Sequence, residues 1–195
     1  MPLAPVMLTG RHVRLEPLAA AHSDAIARQG AEAEIWRWMP AGRADPGESV
    51  RVWGDLVMAL QGRGELAAFA VVDLARGEAV GGTTLFDYAE VHRRVEIGHT
   101  WLAKSAWRTP INTEAKFLLL RHAFETLACN RVQLKTDSRN LRSQAAIERI
   151  GAKREGVLRS HMVLPDGHVR DTVMFSILGA EWPAVKARLE QMMAR

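Results

Sequence analysis

The sequence predicts a mixed α/β (α+β) fold, a mostly antiparallel sheet flanked by helices, in one domain spanning residues 1–195. Three observations lead there. A chain of 195 residues, 48% hydrophobic and 25% charged, is long enough to bury one sizeable core without metal or disulfide staples. After a short opening strand the hydrophobic period is helical up to Gly62, alternates through three consecutive strands, and then switches between helix and strand. A strand–helix–strand unit late in the chain implies one parallel pair inside the sheet, and a sheet that splays where its parallel and antiparallel parts meet forms a cleft.

Taken in order, Arg11–Pro17 alternates as a short strand, and an Ala-rich helix over Ala19–Gln29 ends at Gly30. Val52, Trp53, Leu56, Val57 and Leu60 recur at helical spacing within Glu48–Gln61, before Gly62 and Gly64. Leu66–Leu74, Val80–Tyr88 and Val95–Leu102 read as an antiparallel meander with short connections. Asn112–Ala128 is the strongest helix, with Phe117, Leu120, Phe124 and Leu127 on one stripe and Asn112 or Thr113 as N-cap. Arg131–Thr136 alternates again, and Asn140 caps a short helix that Gly151 ends. A hairpin, Val157–Leu164 and His168–Leu178, turns at Pro165-Asp166-Gly167, and Glu181–Met193 closes the chain as a helix.

Composition excludes several classes. The single cysteine, Cys129, cannot pair internally or build a zinc site alone, which favours a reducing compartment; it reads as a small core residue rather than a nucleophile. The opening MPLAPVML lacks a basic, apolar leader, and no apolar run approaches 20 residues, so a soluble cytoplasmic protein is expected. The net charge of +4 tilts slightly towards an anionic ligand, while basic runs interleaved with aromatics, as on nucleic-acid surfaces, are missing. No G-x-S-x-G, P-loop or G-x-G-x-x-G motif occurs, and no H-x-x-x-H pair, so no metal site is expected. His161 and His168 flank the hairpin turn and read as exposed strand residues.

The informative stretch is the strand Val95–Leu102, running through a polar loop into the helix at Asn112. A helix start presents unpaired amides and partial positive charge, a natural anion site, which Lys104 and Arg108 supplement. A second strand-to-helix turn, Thr136 to Asn140, falls beside it in a parallel pair.

Together these pieces resemble the GNAT superfamily of N-acetyltransferases, in the RimJ/RimL branch of ribosomal-protein acetyltransferases. The resemblance runs from Leu8-Thr-Gly-Arg-His-Val-Arg-Leu15 to the end of the chain. It is carried by Val95-Glu-Ile-Gly98, Asn112-Thr-Glu-Ala-Lys116, Asn140-Leu-Arg-Ser-Gln-Ala-Ala-Ile-Glu-Arg-Ile-Gly151, Glu155-Gly-Val-Leu-Arg159 and the Asp166-Gly167 turn with Arg170-Asp171. The resemblance implies acetyl-CoA as co-substrate, bound where the fourth strand splays from the fifth. The backbone around Trp101 would hold the pantetheine arm, Arg108, Thr109, Asn112 and Thr113 would meet the pyrophosphate, and Asn140 would hydrogen-bond the pantetheine. A primary amine, on a protein N-terminus or a small molecule, would attack the thioester directly. A homodimer is compatible with the same reading; a membrane partner is not expected.

The chain departs from the family pattern twice. Where the pyrophosphate loop carries two glycines, Ser105-Ala-Trp-Arg-Thr-Pro110 has Arg108 and Pro110, and proline has no N–H to donate. Where many members place a general-acid tyrosine, Ile147 stands, and Ser143 is the branch's substitute; the same serine also suits a plain helix-start role. Glu96 is the candidate base, or else a solvated strand carboxylate opposite Arg93 or Arg94, with His99 on the other strand face by period. The family's acceptor region maps to Trp36 and Trp38, with Arg159, His161 and Asp171 opposite, the tryptophans serving either as substrate wall or as core. Two other readings compete: a non-catalytic acyl-CoA-binding sensor, and a basic nucleic-acid-binding module.

Overall fold

The computed structural model describes residues 3–194, so the first two residues of the MPLAPVML opening lie outside it. Eight strands form one sheet in the order β1-β2-β3-β4-β5-β6-β8-β7. They are β1 (Leu8–Thr9), β2 (Val13–Pro17), β3 (Leu66–Asp73), β4 (Glu78–Ala89), β5 (Arg94–Leu102), β6 (Arg131–Asp137), β7 (Lys153–Val163) and β8 (Val169–Leu178). Only β5 and β6 run parallel; the other neighbours are antiparallel. The mixed fold read from the sequence is the one observed.

Helices cover both faces. On one side α1 (Ser23–Gln29), α2 (Ala33–Trp36) and α3 (Pro46–Gly62) pack a core around Trp36, Trp53, Val57 and Trp101. On the other, α4 (Pro110–Arg121), α5 (Leu141–Arg149) and α6 (Trp182–Met193) pack Leu118, Ile147 and Leu189 against Leu15, Phe69, Ile97 and Phe175. Every residue of β3 is buried because both of its faces are covered, which is why Leu66–Asp73 reads as a near-continuous apolar run.

The sequence boundaries fail where end chemistry decides. The cap of α4 is Thr109, not Asn112 or Thr113, because Pro110 sits comfortably at the first helical position, where its missing N–H costs nothing. In the same way Asp45 caps α3 and Pro46 begins it, two residues ahead of Glu48. The long helix expected through Ala128 keeps its α pattern only to Arg121 and then widens into a π turn, His122–Thr126, with Leu127 N–H donating to His122 O at 3.0 Å. Ala20–His22 turn as a 3₁₀ segment before α1. β7 begins four residues early, at Lys153, since an exposed edge strand accepts the charged Lys153-Arg154-Glu155 segment. Among the described residues no helix is long and apolar enough to cross a membrane.

Glu114, buried on α4, fixes the first corner of the sheet. Its carboxylate accepts the backbone N–H groups of Arg11, His12 and Val13 at 2.8, 2.6 and 2.8 Å. A side chain at Gly10 would collide with that carboxylate, so this glycine is required by close approach.

Candidate active site

β5 and β6 pair only over Arg94–Glu96 and Arg131–Gln133, after which they part, β5 staying with β4 and β6 with β8. This is the splay. Ala103 N–H donates to Val80 O at 2.8 Å, so alternation along β5 turns the N–H and C=O of Leu102 away from β4; the C=O accepts from Trp107 Nε1 at 2.8 Å, and the N–H is left towards the gap. The Trp101 side chain points elsewhere, into the α1–α3 core, 5.2 Å from the Trp36 ring and edge-on to Trp53 at 5.7 Å.

The loop from β5 into α4 closes one end of the gap. Arg108 takes a left-handed conformation, φ 60°, the backbone shape that glycine holds at no steric cost. The loop thus follows a glycine's path without the glycine, and the Arg108 side chain projects exposed beside the helix start. Thr109 spends its hydroxyl on the cap, accepting from Ile111 N–H and donating to Ala106 O at 2.7 Å. Thr113 accepts from Arg149 at 3.1 Å, which ties α4 to α5. Asn112 is half-buried, and its side chain makes no hydrogen bond within the described residues. Across the gap, Asn140 caps α5 by accepting from Ser143 N–H at 3.0 Å, leaving its side-chain NH₂ to donate elsewhere. The Ser143 hydroxyl has no partner among the described residues. Ile147 is buried in the core, and the chain's only tyrosine, Tyr88, lies on β4, so α5 offers no phenol.

A polar floor lies below. Glu96, 1% exposed, accepts from Gln133 at 2.9 Å, and Lys135 Nζ stands 3.1 Å from its Oε1, in a geometry too poor for a full hydrogen bond there. Burial pushes the Glu96 carboxyl above its ordinary pKa, against the opposing pull of Lys135 and Gln133. It is therefore not a solvated carboxylate paired with Arg93 or Arg94: Arg94 binds Asp87, and the Arg93 side chain donates to Ala128 O. The β4–β5 register slips between Gly82 and Thr84, and in that bulge His99 adopts φ 49°. The extra residue breaks the alternation and brings His99 onto Glu96's face, against the Phe86 ring at 4.6 Å and Thr84 Oγ1 at 3.0 Å. Its position on the opposite face, as period alone predicts, is corrected. Burial, reinforced by the nearby Lys135 charge, lowers the His99 pKa to about 4, so the imidazole is neutral at physiological pH.

The two early tryptophans part company. Trp36 is buried, with its indole N–H on Gly30 O at 2.7 Å, and serves the core. Trp38 is half-buried between the guanidiniums of Arg37 and Arg139, 4.6 and 4.7 Å from its ring. Asp171 accepts Ser160 N–H at 2.7 Å and His161 Nδ1 lies 3.1 Å from Thr172 Oγ1, while Arg159 is exposed on β7. Sequence reasoning missed Gln133, Lys135, Asp137 and Arg170. The signal for the first three was present: polar residues alternate with Val132, Leu134 and Thr136 along β6.

A family profile described as "Acetyltransferase (GNAT) domain" matches residues 12–153. The chain belongs to the GNAT family. It is 36% identical over 110 residues to the "Putative ribosomal N-acetyltransferase YdaF" of Bacillus subtilis, covering 56% of this chain and 59% of that protein. The chain therefore aligns with about three fifths of that relative's length. A crystal structure of a GCN5-related N-acetyltransferase from Brucella melitensis matches with a TM-score of 0.89 and 30% identity, over 98% of this chain and 86% of the other. Mycobacterium smegmatis RimJ, in complex with CoA-disulfide, shares the fold at a TM-score of 0.82 and 24% identity, over 96% of this chain and 95% of that one.

Proposed function

We propose that this GNAT protein transfers the acetyl group of acetyl-CoA to a primary amine by direct attack, in the reducing environment of the cytoplasm. The observation that carries the reading is a buried carboxylate of raised pKa, Glu96, at the floor of the gap between β5 and β6. Acetyl-CoA, when bound, supplies the activated acyl group and the thiolate that leaves. The fit is favoured by the outward-facing Leu102 N–H, the unspent Asn140 amide, and an α4 start flanked by exposed Arg108. Pro110 offers no amide, so Arg108 and Asn112 would supply the donors that the family's glycine amides give. Thr109 and Thr113, being engaged, would shape the loop rather than bind phosphate.

In this reading Glu96 draws the proton from the acceptor ammonium, the step that makes the amine nucleophilic. His99, neutral, orients and excludes water rather than bearing charge. The Ser143 hydroxyl donates towards the departing thiolate. Trp38 and the β7–β8 hairpin, with Arg159, His161 and Asp171, border the acceptor's entrance; Trp36 does so only indirectly, by supporting the α2 turn.

The missing tyrosine and Pro110 favour one second reading, a sensor that binds acyl-CoA without turnover. Thiol release from acetyl-CoA, followed across a panel of amines, separates the two. Amine-dependent release is expected; thermal stabilisation by CoA with no release from any amine would establish the sensor instead.

A further inference from the structure

We propose that the amine acceptor carries a carboxylate and that Arg170 binds it. The proposal rests on the acetyl-transfer reading and names the substrate class of that site.

Arg170 lies on β8 and is 4% exposed. Register places it on the same sheet face as Glu96, Lys135 and Asp137: Glu96 pairs with Gln133, and Asp137 with Thr172, two residues along from Arg170. The guanidinium makes no hydrogen bond among the described residues, and its Nε is buried without a partner. Its one ion-pair neighbour among the described residues, Asp137, stays 4.0 Å away and is already committed. Asp137 accepts the Arg139 guanidinium at 2.9 and 2.7 Å and the Arg139 backbone N–H at 2.9 Å. A guanidinium offers five donors, and buried polar groups are almost always satisfied. The acceptor for this one has to come from outside the chain.

Charge narrows the chemistry. The floor holds Glu96 and Asp137 against Lys135, Arg139 and Arg170, and Asp166 acts on Arg139 from the hairpin turn, so the charges balance. An incoming ammonium adds one positive charge, and each further ammonium of a bare polyamine adds another. A carboxylate on the same molecule removes the excess, and the planar guanidinium fork matches its two oxygens. A phosphate, near −2, would overshoot a single uncommitted arginine. Glu96 lies near enough for its charge to act on Arg170, so amine and carboxylate would be held by opposite ends of one floor.

Such a carboxylate has two sources, the α-carboxylate of a free amino acid or an acidic first side chain on a peptide. Two acceptor pairs separate them: alanine against alaninamide, and C-terminally amidated peptides beginning with Asp against Asn. In one pair the wild-type kcat/KM is expected to favour the acid by about tenfold or more, the scale of a hydrogen bond to a charged group. R170Q should collapse that ratio, and R170K should restore part of it. Calorimetric binding of the corresponding N-acetylated products supplies a readout that needs no turnover, and CoA-dependent thermal stabilisation of both variants certifies their fold. Thiol release without acid preference in either pair overturns the proposal and leaves acetyl transfer standing. Acid-selective, Arg170-dependent product binding without thiol release from any acceptor keeps the carboxylate site and overturns the transfer reading. Equal binding of acid and amide products by the wild type means that water alone satisfies the guanidinium, and the proposal fails.

Discussion

Glu96 combines what a general base in this gap requires: burial, a raised pKa and a counter-ion that leaves one oxygen imperfectly bonded. The carboxylate must be ionised to accept a proton, so kcat/KM should rise with pH through a value above the ordinary carboxylate range. Glu96→Gln should abolish that limb and lower kcat/KM by about 10²–10⁴-fold. A variant with near-normal turnover and an unchanged low-pH limb would mean that water carries the proton away. Ser143→Ala should lower kcat while leaving the limb in place, with thermal unfolding measured alongside to account for any effect on the helix. Asn140 separates differently. Asn140→Asp keeps the cap to Ser143 N–H but removes the NH₂ donor and adds charge near an anionic ligand. Stability should hold while CoA affinity falls; if calorimetry finds both unchanged, Asn140 is a cap and nothing more. Asn140 was legible in the sequence because a cap precedes its helix at a fixed offset. Arg170 was not, because its meaning lies in the partners it lacks.

Among the elements, β5 and α4 explain why much of the fold was readable and part of the site was not. Alternation along Val95–Leu102 marks the strand, but one bulge moves His99 to the other face, and no local residue signals it. The helical stripe from Phe117 places α4 on the sheet, yet it is silent about Lys116, whose ammonium is buried and, among the described residues, donates only to Thr100 Oγ1, at 2.7 Å. Thr100 in turn lies 2.7 Å from Thr83 Oγ1 across β4 and β5, beside the bulge. Burial without a carboxylate lowers the Lys116 pKa from 10.5 to about 7. Below pH 7 the lysine is charged in both folded and unfolded chains, and the folded state bears the cost of a buried charge. Between about 7 and 10.5 the unfolded chain holds the proton and the folded one releases it, so this residue's contribution to stability improves as pH rises. The slope approaches about 1.4 kcal/mol per pH unit within that window. Lys116→Met should therefore stabilise the protein most at pH 6, with the advantage shrinking towards pH 9. Urea unfolding of both proteins across that range decides it, and a constant difference would show that Lys116 titrates normally.

At the scale of the whole molecule, the sheet is continuous where β5 meets β6 but held there by only a short parallel pairing, from Arg94–Arg131 to Glu96–Gln133. Beyond that point the halves communicate through side chains. Arg149 of α5 bonds Thr113 of α4, Arg142 of α5 lies 3.7 Å over the Trp107 ring, and Glu34 of α2 reaches both Lys104 and Arg142, at 3.1 and 3.6 Å. The ion pairs in this set are exposed and salt-screened, so they hold the gap's margins only weakly. A ligand lying along the gap would touch β5, the start of α4 and the start of α5 at once, and would replace weak ties by strong ones. Acetyl-CoA at a hundred times its Kd should thus stabilise the fold by about 2.7 kcal/mol. The gain should also be distributed: amide exchange should slow in β5 beyond Gly98 and at the α4 and α5 starts together, while the Leu66–Asp73 strand, buried on both faces, changes little. Arg108→Ala should weaken CoA binding by about 1.5–3 kcal/mol if its side chain stands in for the missing glycine amides. It should weaken the protection of α4 and α5 alike, because both depend on the same bound molecule. Protection confined to α4, or a Kd unmoved at low salt, would mean that the ligand does not bridge the gap and that Arg108 is an exposed side chain holding a glycine's conformation for the loop's own sake.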